Sequence, residues 1–382
     1  MKILSVLGAR PQFIKAATVN QAIRSHNQNN THQIEEIIVH TGQHFDANMS
    51  DIFFEELQIP SPNYNLGIAS LNHGAMTGRM LEGIESLIQK EQPDWMLVYG
   101  DTNSTLAGSL AAIKLKIPVA HVEAGLRSNN LAMPEEINRI LTDRVSKVLF
   151  CPTQTAVNNL SAEGFPFYFS NQNRQHLYNV GDVMYDAALY YAQKAKDNIH
   201  LEQWNLKEKQ YVLCTIHRAE NTDHPKKLSS VFNALQQINQ HIPVVLPLHP
   251  RTYKTLSKYN HNDWLKQYIL LQPVSYLKMQ RLEMGAKVIL TDSGGVQKEA
   301  FFHRTPCITL RDETEWTETV ELGFNKIVGT DEKAILKAFN SLNSIDEVIN
   351  NPYGDGTASK KIVKTLLDLY VAKKDQKICA ES

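Results

Sequence analysis

Short apolar runs alternate along the whole chain with longer segments whose apolar positions recur three or four residues apart. The short runs are typical of strands buried in a parallel sheet, and the longer segments are typical of the helices that cover such a sheet. The pattern therefore predicts an α/β fold of doubly wound parallel sheets. In the first half, the predicted strands are 3–7, 36–40, 96–99, 117–122, 148–151 and 178–180. The predicted helices are 49–57, 76–90, 102–114 and 155–163, with others beginning at Pro11 and Pro134.

The second half repeats this alternation. Strands are predicted at 211–216, 243–248, 269–271, 287–290 and 305–310, and helices at 227–239, 276–284 and from Val296. A chain of 382 residues is also long for one core. We therefore expect two Rossmann-like domains, 1–185 and 186–360, with the interdomain boundary near Val183 to Ala188. A last helix, within 361–382, is expected to pack back on the first domain. The polar segment 171–176 is expected to be a loop.

Charge and composition exclude some classes of protein. With 39 basic and 40 acidic side chains, no overall field favours nucleic acid or an anionic membrane. No apolar run approaches the roughly 20 residues of a membrane span. The four cysteines show no CxxC spacing, and three of them lie in or beside apolar runs. We therefore expect reduced, mostly buried thiols and a cytoplasmic protein that binds no nucleic acid and does not insert into membranes.

Three acidic residues follow the predicted elements between residues 95 and 139. Asp101 follows one strand, Glu123 follows the next, and Glu135 lies in the first turn of the helix that begins at Pro134. Strands joined by a helical crossover are parallel, and ligands of parallel sheets bind at the carboxyl ends of the strands. Asp101 and Glu123 should therefore lie at one sheet edge.

Each acid also has a structural explanation. An Asp before a helix is commonly an N-cap, and Glu135 and Glu136 would complement the helix dipole. Glu123 is harder to explain in this way, because it closes a β-branched run and caps no evident helix. Three acids converging on one edge favour chemistry.

Two basic residues follow the first strand in the segment GARPQFIK. Arg10 and Lys15 flank the start of a helix, where backbone N–H groups of the strand-to-helix turn would suit a phosphate. Both are alternatively ordinary surface residues. The segment lacks the further glycines of a dinucleotide fingerprint, so nicotinamide binding is not indicated. Metal binding by His40, His44 and Asp46 is also disfavoured, because Gly42 indicates a loop. We expect no metal and no cofactor.

In the second half, Ser293, Gly294 and Gly295 stand between a strand and a helix. Such a turn is a candidate anion cradle, because glycines let a diphosphate approach unpaired N–H groups. Glu299, one helical turn further on, could reach a ribose diol. A glycine pair is also a common turn, and His217, which follows another strand, could be structural.

Six ordered segments, GARPQFIK, GDTNSTLA, HVEAGLR, PEEINR, LTDSGGVQKE and NPYGDG, resemble the non-hydrolysing UDP-N-acetylglucosamine 2-epimerase family over nearly the whole chain. The resemblance implies the GT-B arrangement, in which two Rossmann-like domains face a cleft, and a homodimer. It also implies an isomerase that removes the C2 proton, expels UDP to give a glycal, and adds UDP back while a proton reaches the opposite face of C2.

The resemblance also assigns roles to residues. Asp101, Glu123 and Glu135 match the acid/base carboxylates, Lys15 is placed near the sugar, and His217 near the leaving diphosphate. The UDP-sugar would be bound by a further set of residues: Arg10, Arg139, Ser293, Gly294, Gly295, Glu299 and Arg311. The resemblance does not assign the carboxylates to the two faces of C2.

This chain departs from the commonest family pattern at three places. Gln12-Phe13 replaces Glu-Ala, Lys298 replaces Glu, and Trp316-Thr317 replaces Arg-Pro. The segments HTGQHFDANMS and GARPQFIKAA are more similar to the branch that acts on UDP-2,3-diacetamido-2,3-dideoxy-glucuronic acid. We therefore expect an enzyme of surface polysaccharide synthesis, for lipopolysaccharide O-antigen or capsule, that acts on this sugar or on UDP-N-acetylglucosamine. A GT-B glycosyltransferase, a hydrolysing epimerase and a non-catalytic nucleotide-sugar sensor are the alternatives.

Overall fold

The computed structural model describes residues 1–43, 56–170, 173–248, 250–258, 265–342 and 351–381. The chain forms two compact units: unit 1 comprises residues 1–187 together with 351–382, and unit 2 comprises residues 188–350. The sequence predicted domain boundaries at residues 185 and 360. In the structure, residues 351–360 belong to unit 1 and not to the second domain. Among the described residues, no helix is long and apolar enough to cross a membrane.

Unit 1 is built on a parallel sheet whose strands are ordered β3-β2-β1-β4-β5-β6-β9. The strands of the unit are β1 Lys2–Leu7, β2 Glu35–His40, β3 Tyr64–Asn65, β4 Trp95–Tyr99, β5 Val119–Val122, β6 Val148–Cys151, β7 Tyr168–Ser170, β8 Asn173–Arg174 and β9 His176–Asn179. Its helices are α1 Arg10–Asn29, α2 His73–Glu91, α3 Asn103–Lys114, α4 Pro134–Val145 and α5 Gln154–Ala162. Most elements predicted for the first half are thereby confirmed; the helix predicted at 49–57 falls mostly outside the described residues.

Within unit 1, the acidic residues Asp101 and Glu123 belong to a strand–helix–strand motif made of β4, α3 and β5, as predicted. Strands β4 and β5 pair in parallel with Tyr99 opposite Val122, so Asp101 and Glu123 follow neighbouring strands at the same edge. Helix α3 packs between α2 and α4 on one face. The strands are buried because they are covered on both faces, which is why they read as continuous apolar runs.

The loop expected at 171–176 is wrong for the residues that the structure describes. Strands β7 and β8 pair in antiparallel orientation, and β9 begins at His176 and pairs with β6 at the edge of the sheet. An edge strand need not be apolar, because one of its sides faces solvent. The polar composition of this segment therefore concealed the strands. Residues 171 and 172 lie outside the described residues.

The chain returns to unit 1 through a buried carboxylate. Helix α6 Val183–Asn198 carries Asp186, which accepts hydrogen bonds from Ala358 N at 3.1 Å and from Ser359 N and Oγ, both at 2.7 Å. These two residues begin the last helix, Ala358–Glu381, which packs against α1. Asp186 thus satisfies the first amides of the last helix, and it fixes that helix to the first unit.

Unit 2 contains a second parallel sheet, ordered β12-β11-β10-β13-β14-β15. Its strands are β10 Val212–Thr215, β11 Val244–Pro247, β12 Ile269–Leu271, β13 Val288–Thr291, β14 Cys307–Thr309 and β15 Asn325–Ile327. Its helices are α7 Ala219–Thr222, α8 Pro225–Asn239, α9 Pro250–Lys258, α10 Tyr276–Gly285, α11 Gly294–Phe302, α12 Thr317–Glu321 and α13 Glu332–Asn340. The last helix of the chain, Ala358–Glu381 in unit 1, is α14. The elements that were missed are all short, with nine residues or fewer: α7, α9, α12, α13 and β15.

Candidate functional site

The first pair of charged residues in unit 1 joins helix α1 to the end of β5. Lys15 Nζ lies 2.5 Å from Glu123 Oε1, and both side chains are less than one tenth exposed. Gly100 lies beside the pair: a Cβ at this position would be 3.1 Å from Lys15 Nζ and 3.6 Å from Glu123 Oε1. The expectation that Lys15 is an ordinary surface residue is therefore wrong. A buried cation is placed directly against a candidate acid/base carboxylate.

Glu123 has a strained backbone. Its φ is +73°, in the left-handed region that costs a residue with a Cβ roughly 1–2 kcal/mol. Such conformations persist only where the surroundings hold them, and they are common at functional sites. The contact between the Glu123 carboxylate and Lys15 Nζ is one interaction that holds the residue in this conformation.

The second pair joins Asp101 to helix α4. Arg139 Nη2 lies 2.6 Å from Asp101 Oδ2, and Asn138 Nδ2 donates to the Asp101 carbonyl at 2.9 Å. The alternative that Asp101 caps α3 is wrong, because Thr102 is the N-cap and accepts from Thr105 N. The Asp101 carboxylate is consequently available for chemistry at the sheet edge.

The predicted charged residues of unit 1 act together on the pKa of Asp101. Burial raises the pKa of Asp101, while Arg139 and Lys15 oppose this rise, and the nearby charges of Glu123 and Glu135 raise the pKa further. A carboxyl group whose pKa is raised in this way is a candidate for general acid or base catalysis. Glu123 and Glu135 therefore both act electrostatically on Asp101.

Glu135 and Glu136 differ in their environment although they are neighbours in the first turn of α4. Glu135 is exposed. Glu136 is only 1% exposed, accepts from Ser128 N at 3.0 Å and Asn129 N at 2.9 Å, and pairs with Arg139 Nη1 at 3.0 Å. Glu136 thus holds the loop before the helix, and Glu135 is left facing outwards.

The turn between β1 and α1 does not present its first amides to a ligand. Gly8 N and Ala9 N donate to Gln12 Oε1 at 2.8 and 3.0 Å, and Gln12 Nε2 donates to Tyr99 O at 2.8 Å. The interpretation of this turn as a phosphate site is therefore wrong for these two N–H groups. Arg10 is half-buried at the start of α1, and its role as a ligand of the diphosphate stays a prediction.

In unit 2, His217 and Asp292 follow the neighbouring strands β10 and β13. His217 Nδ1 lies 3.3 Å from Asp292 Oδ1, and the carboxylate also accepts from the amides of His217 and Arg218 and from Asn221 Nδ2. Although burial opposes ionisation, these donors hold the pKa of Asp292 below its usual value. The His217 side chain is 39% exposed, so an oriented imidazole faces solvent at this edge.

The Ser-Gly-Gly turn begins helix α11 but is only partly open. Ser293 is the N-cap, and Gly295 is exposed. Gly294 is buried, and a Cβ there would overlap the Glu315 carboxylate and lie 3.3 Å from Trp316 Nε1. A side chain at position 294 would therefore displace the Glu315 carboxylate from its present place after β14. Only Gly295 has the open surroundings that were expected for both glycines.

Arg311 and Glu299 complete the residues predicted in unit 2. Arg311 Nη1 pairs with Glu315 Oε2 at 2.9 Å, and this cation helps to hold the pKa of Glu315 below its usual value. Glu299 lies in α11 and is 7% exposed. Arg311 is also 7% exposed, and it follows β14 at the sheet edge where His217 follows β10.

No group of three potential metal ligands occurs within the part of the chain that the structure describes. His44 and Asp46 lie outside it, and the absence of metal chemistry stays a prediction. Cys151, Cys214 and Cys307 are buried free thiols, as expected.

Several residues of these sites were missed in the sequence. Gln12 and Asp292 lie inside the quoted motifs without a predicted role, and Glu136 was predicted only to complement the helix dipole. His121 and Asp143 were also missed. A buried polar residue in an apolar strand, such as His121 in VAHV, is the one signal that could have found them.

Two parallel sheets, each with charged side chains at the carboxyl ends of its strands, place this chain among the doubly wound α/β proteins, which bind ligands at that edge. The chain belongs to the UDP-N-acetylglucosamine 2-epimerase family, whose model matches residues 26–367. It is an isomerase with two Rossmann-like domains of the GT-B type.

Relatives and solved structures agree with this family. The UDP-2,3-diacetamido-2,3-dideoxy-D-glucuronate 2-epimerase of Pseudomonas aeruginosa is 52% identical over 97% of this chain and 100% of its own. The UDP-N-acetylglucosamine 2-epimerase homolog of Methanococcus maripaludis is 51% identical over 97% of this chain and 100% of its own. The crystal structure of the Methanocaldococcus jannaschii UDP-GlcNAc 2-epimerase with UDP-GlcNAc and UDP is 43% identical, with a TM-score of 0.82, over 96% of this chain and 99% of its own.

Proposed function

We propose that the protein inverts C2 of a UDP-2-acetamido sugar by elimination and re-addition of UDP. The observation that carries the proposal is the pair of ion-paired carboxylates in unit 1, Glu123 with Lys15 and Asp101 with Arg139. Inversion at C2 needs one group that removes a proton and another that delivers a proton to the opposite face. Two carboxylates with separate cationic partners supply such a pair.

The proposed reaction balances without a cofactor. A carboxylate takes the C2 proton, the C1–O bond breaks, and UDP leaves with the bonding electrons, which gives a C1=C2 glycal. A phosphate oxygen of UDP then adds to C1, and a proton reaches C2 from the other face. The C2 hydrogen is a weak acid, so the burial of the Glu123 carboxylate matters. In unit 2, we assign His217, Ser293, Gly295, Glu299 and Arg311 to UDP, and Gly294 to the packing of their turn.

We further propose UDP-2,3-diacetamido-2,3-dideoxy-glucuronate as the preferred substrate. The Pseudomonas aeruginosa relative that carries this name is 52% identical, and the changes at Gln12, Lys298 and Trp316 separate this chain from the commonest family pattern. The enzyme would then serve surface polysaccharide synthesis. A competition assay between this sugar and UDP-N-acetylglucosamine would test the preference, and an equal kcat/KM for the two would contradict it.

The test of the reaction itself is incubation with each UDP-sugar in heavy water. We expect deuterium at C2 of both epimers without net release of free UDP. Release of UDP without an acceptor would indicate a hydrolysing epimerase, transfer to an acceptor would indicate a glycosyltransferase, and binding without exchange would indicate a sensor. Asp101→Asn, Glu123→Gln and Glu135→Gln should each lower exchange, by roughly 10²- to 10⁴-fold for a general acid or base. Near-normal exchange in all three variants would refute the mechanism.

We also propose that the protein is a cytoplasmic homodimer. Its buried free thiols are compatible with a reducing compartment. Ile137 and Leu141 lie one turn apart on α4 and are 44% and 42% exposed, which supports an apolar contact with a second copy.

A further inference from the structure

A buried histidine lies directly behind the two carboxylates of unit 1. His121 is in β5, two residues before Glu123, and its side chain is fully buried. Its Nε2 atom lies 2.7 Å from the carbonyl oxygen of Gly100, the residue before Asp101. Since a carbonyl oxygen can only accept, Nε2 carries a hydrogen and donates it. The ring therefore joins the backbone at one carboxylate to the strand that ends at the other.

Asp143 of helix α4 holds this ring in place. Its Oδ1 atom lies 2.7 Å from His121 Nδ1, and both side chains are fully buried. Its Oδ2 atom accepts from Gly125 N at 3.1 Å and from Arg127 Nη1 at 2.7 Å. Gly125 is two residues beyond Glu123. The same carboxylate thus fixes both the histidine ring and the backbone that follows the strained Glu123.

The backbone at Gly100 lies beside the ion pair of Lys15 and Glu123, in a left-handed conformation that glycine adopts without strain. Its φ is +61°, and its α-carbon faces the Lys15–Glu123 pair. Gly100 N donates to Val122 O at 2.9 Å, so its amide and its carbonyl are both bonded towards β5. A small rotation here would move Asp101 relative to Glu123.

We propose that His121, oriented by Asp143, is a positioning residue that sets where the Asp101 carboxylate lies relative to Glu123. The inference rests on the proposed function, because it assigns a task within that reaction. Misplacement of a reacting group by about 1 Å can cost roughly 100-fold in rate, so the bond to Gly100 should be visible in kcat. A histidine that only fills the core would affect stability alone.

Three variants separate these two roles. His121→Asn places its amide nitrogen on Cγ, where Nδ1 is attached, so it keeps the bond to Asp143 and loses the bond to Gly100. His121→Gln places its amide nitrogen one atom further, like Nε2, and keeps the bond to Gly100. Asp143→Asn keeps the geometry, because its amide can donate to Nδ1 of a ring with its hydrogen on Nε2 while its oxygen still accepts from Gly125 and Arg127.

The measurements are kcat and KM for epimerisation of the UDP-sugar, deuterium exchange at C2, and the melting temperature of the full chain. We expect His121→Asn to lower kcat and exchange roughly 10- to 100-fold, with KM changed less than about 2-fold. His121→Gln and Asp143→Asn should keep kcat within about 3-fold even where the melting temperature falls.

A normal kcat in His121→Asn would overturn the proposal. If that variant does not fold, a more than tenfold lower kcat in folded His121→Gln or Asp143→Asn would overturn it equally, since both keep the bond to Gly100, and retained kcat in both would support it. Failure of the proposed function is distinguishable, because the unaltered protein would then show no exchange at C2 with any UDP-sugar.

Discussion

Glu123 combines two features that oppose stability, a left-handed backbone and a buried carboxylate, and it balances only the second with Lys15. Asp101, by contrast, has an ordinary strand-end position and a cation from another helix. At the scale of single residues, the fold therefore holds one acid of the site, Glu123, in a costly state beside a second acid in an ordinary position. This cost is understandable if proton transfer depends on the position and the proton affinity of these groups.

The strain at Glu123 predicts an inverted order of stability between two variants. Glu123→Gly and Glu123→Ala both remove the carboxylate, but only glycine adopts φ of +73° without a steric penalty. We expect the glycine variant to be more stable than the alanine variant by about 1 kcal/mol in thermal unfolding, while both lose C2 exchange. At ordinary positions alanine is the more stable of the two, so that order at residue 123 would contradict the strain.

The cation beside Asp101 predicts a shift in pH dependence. Arg139 lowers the pKa of Asp101 against the effect of burial, so Arg139→Met should raise this pKa further. The limb of the kcat/KM profile that reflects Asp101 should then move to higher pH, whereas Arg139→Lys, which keeps the charge, should move it less. Arg144→Met is the matched control, since Arg144 is exposed in the last turn of the same helix. Movement of this limb to lower pH in Arg139→Met would contradict the prediction.

At the scale of elements, the turn from β1 to α1 is held by a side chain rather than by a ligand. Gln12 uses its amide oxygen for two amides of the turn and its amide nitrogen for Tyr99 O and Thr105 Oγ1. It therefore ties the first turn of α1 to the end of β4, next to Gly100. Glutamine suits this position because its side-chain amide supplies both an acceptor for the backbone N–H groups and a donor for Tyr99 O and Thr105 Oγ1.

Loss of the Gln12 amide should loosen this turn. Gln12→Met keeps the length of the side chain but leaves buried amides without an acceptor, at a cost of about 1–3 kcal/mol for each such group. We expect a lower melting temperature and faster hydrogen exchange at Gly8 and Ala9. Gln21→Met, at an exposed position of the same helix, should change neither. Unchanged exchange at Gly8 and Ala9 in Gln12→Met would show that another group holds the turn.

At the scale of the whole molecule, the chain builds one unit, then a second, and returns to the first. Asp186 and the start of α14 close unit 1 through hydrogen bonds between residues 172 and 173 positions apart. Each unit has its own sheet and its own apolar core. The carboxylates that we assign to proton transfer belong to unit 1, and the groups that we assign to UDP belong mainly to unit 2.

The proposed homodimer can be tested at the exposed apolar face of α4. Ile137→Lys combined with Leu141→Lys should shift sedimentation from dimer to monomer at micromolar protein, because charges would be buried at the contact. Leu322→Lys, at an exposed apolar position of unit 2, is the control. A dimer that persists in the double variant would place the contact elsewhere, and a monomeric unaltered protein would exclude the homodimer.

The local pattern of the chain determined much of the fold. Apolar periodicity placed most strands and helices, and the order of strand, helix and strand predicted parallel sheets whose carboxyl ends collect Asp101, Glu123, His217 and Ser293. These predictions succeed because they depend on interactions between residues close in sequence, on burial, and on the chirality of the crossover. Short polar strands and helices were missed because their burial is only partial.

Tertiary structure alone decided the partners. Lys15 meets Glu123 across 108 positions, Arg139 meets Asp101 across 38, and Asp143 meets His121 across 22. It also decided that Gln12 occupies amides that the sequence had suggested for phosphate, and that Gly294 is closed by Glu315. A motif specifies which groups stand at the end of a strand. Which groups are buried together, and therefore which pKa is raised or lowered, depends on packing between distant segments, and no local pattern records that.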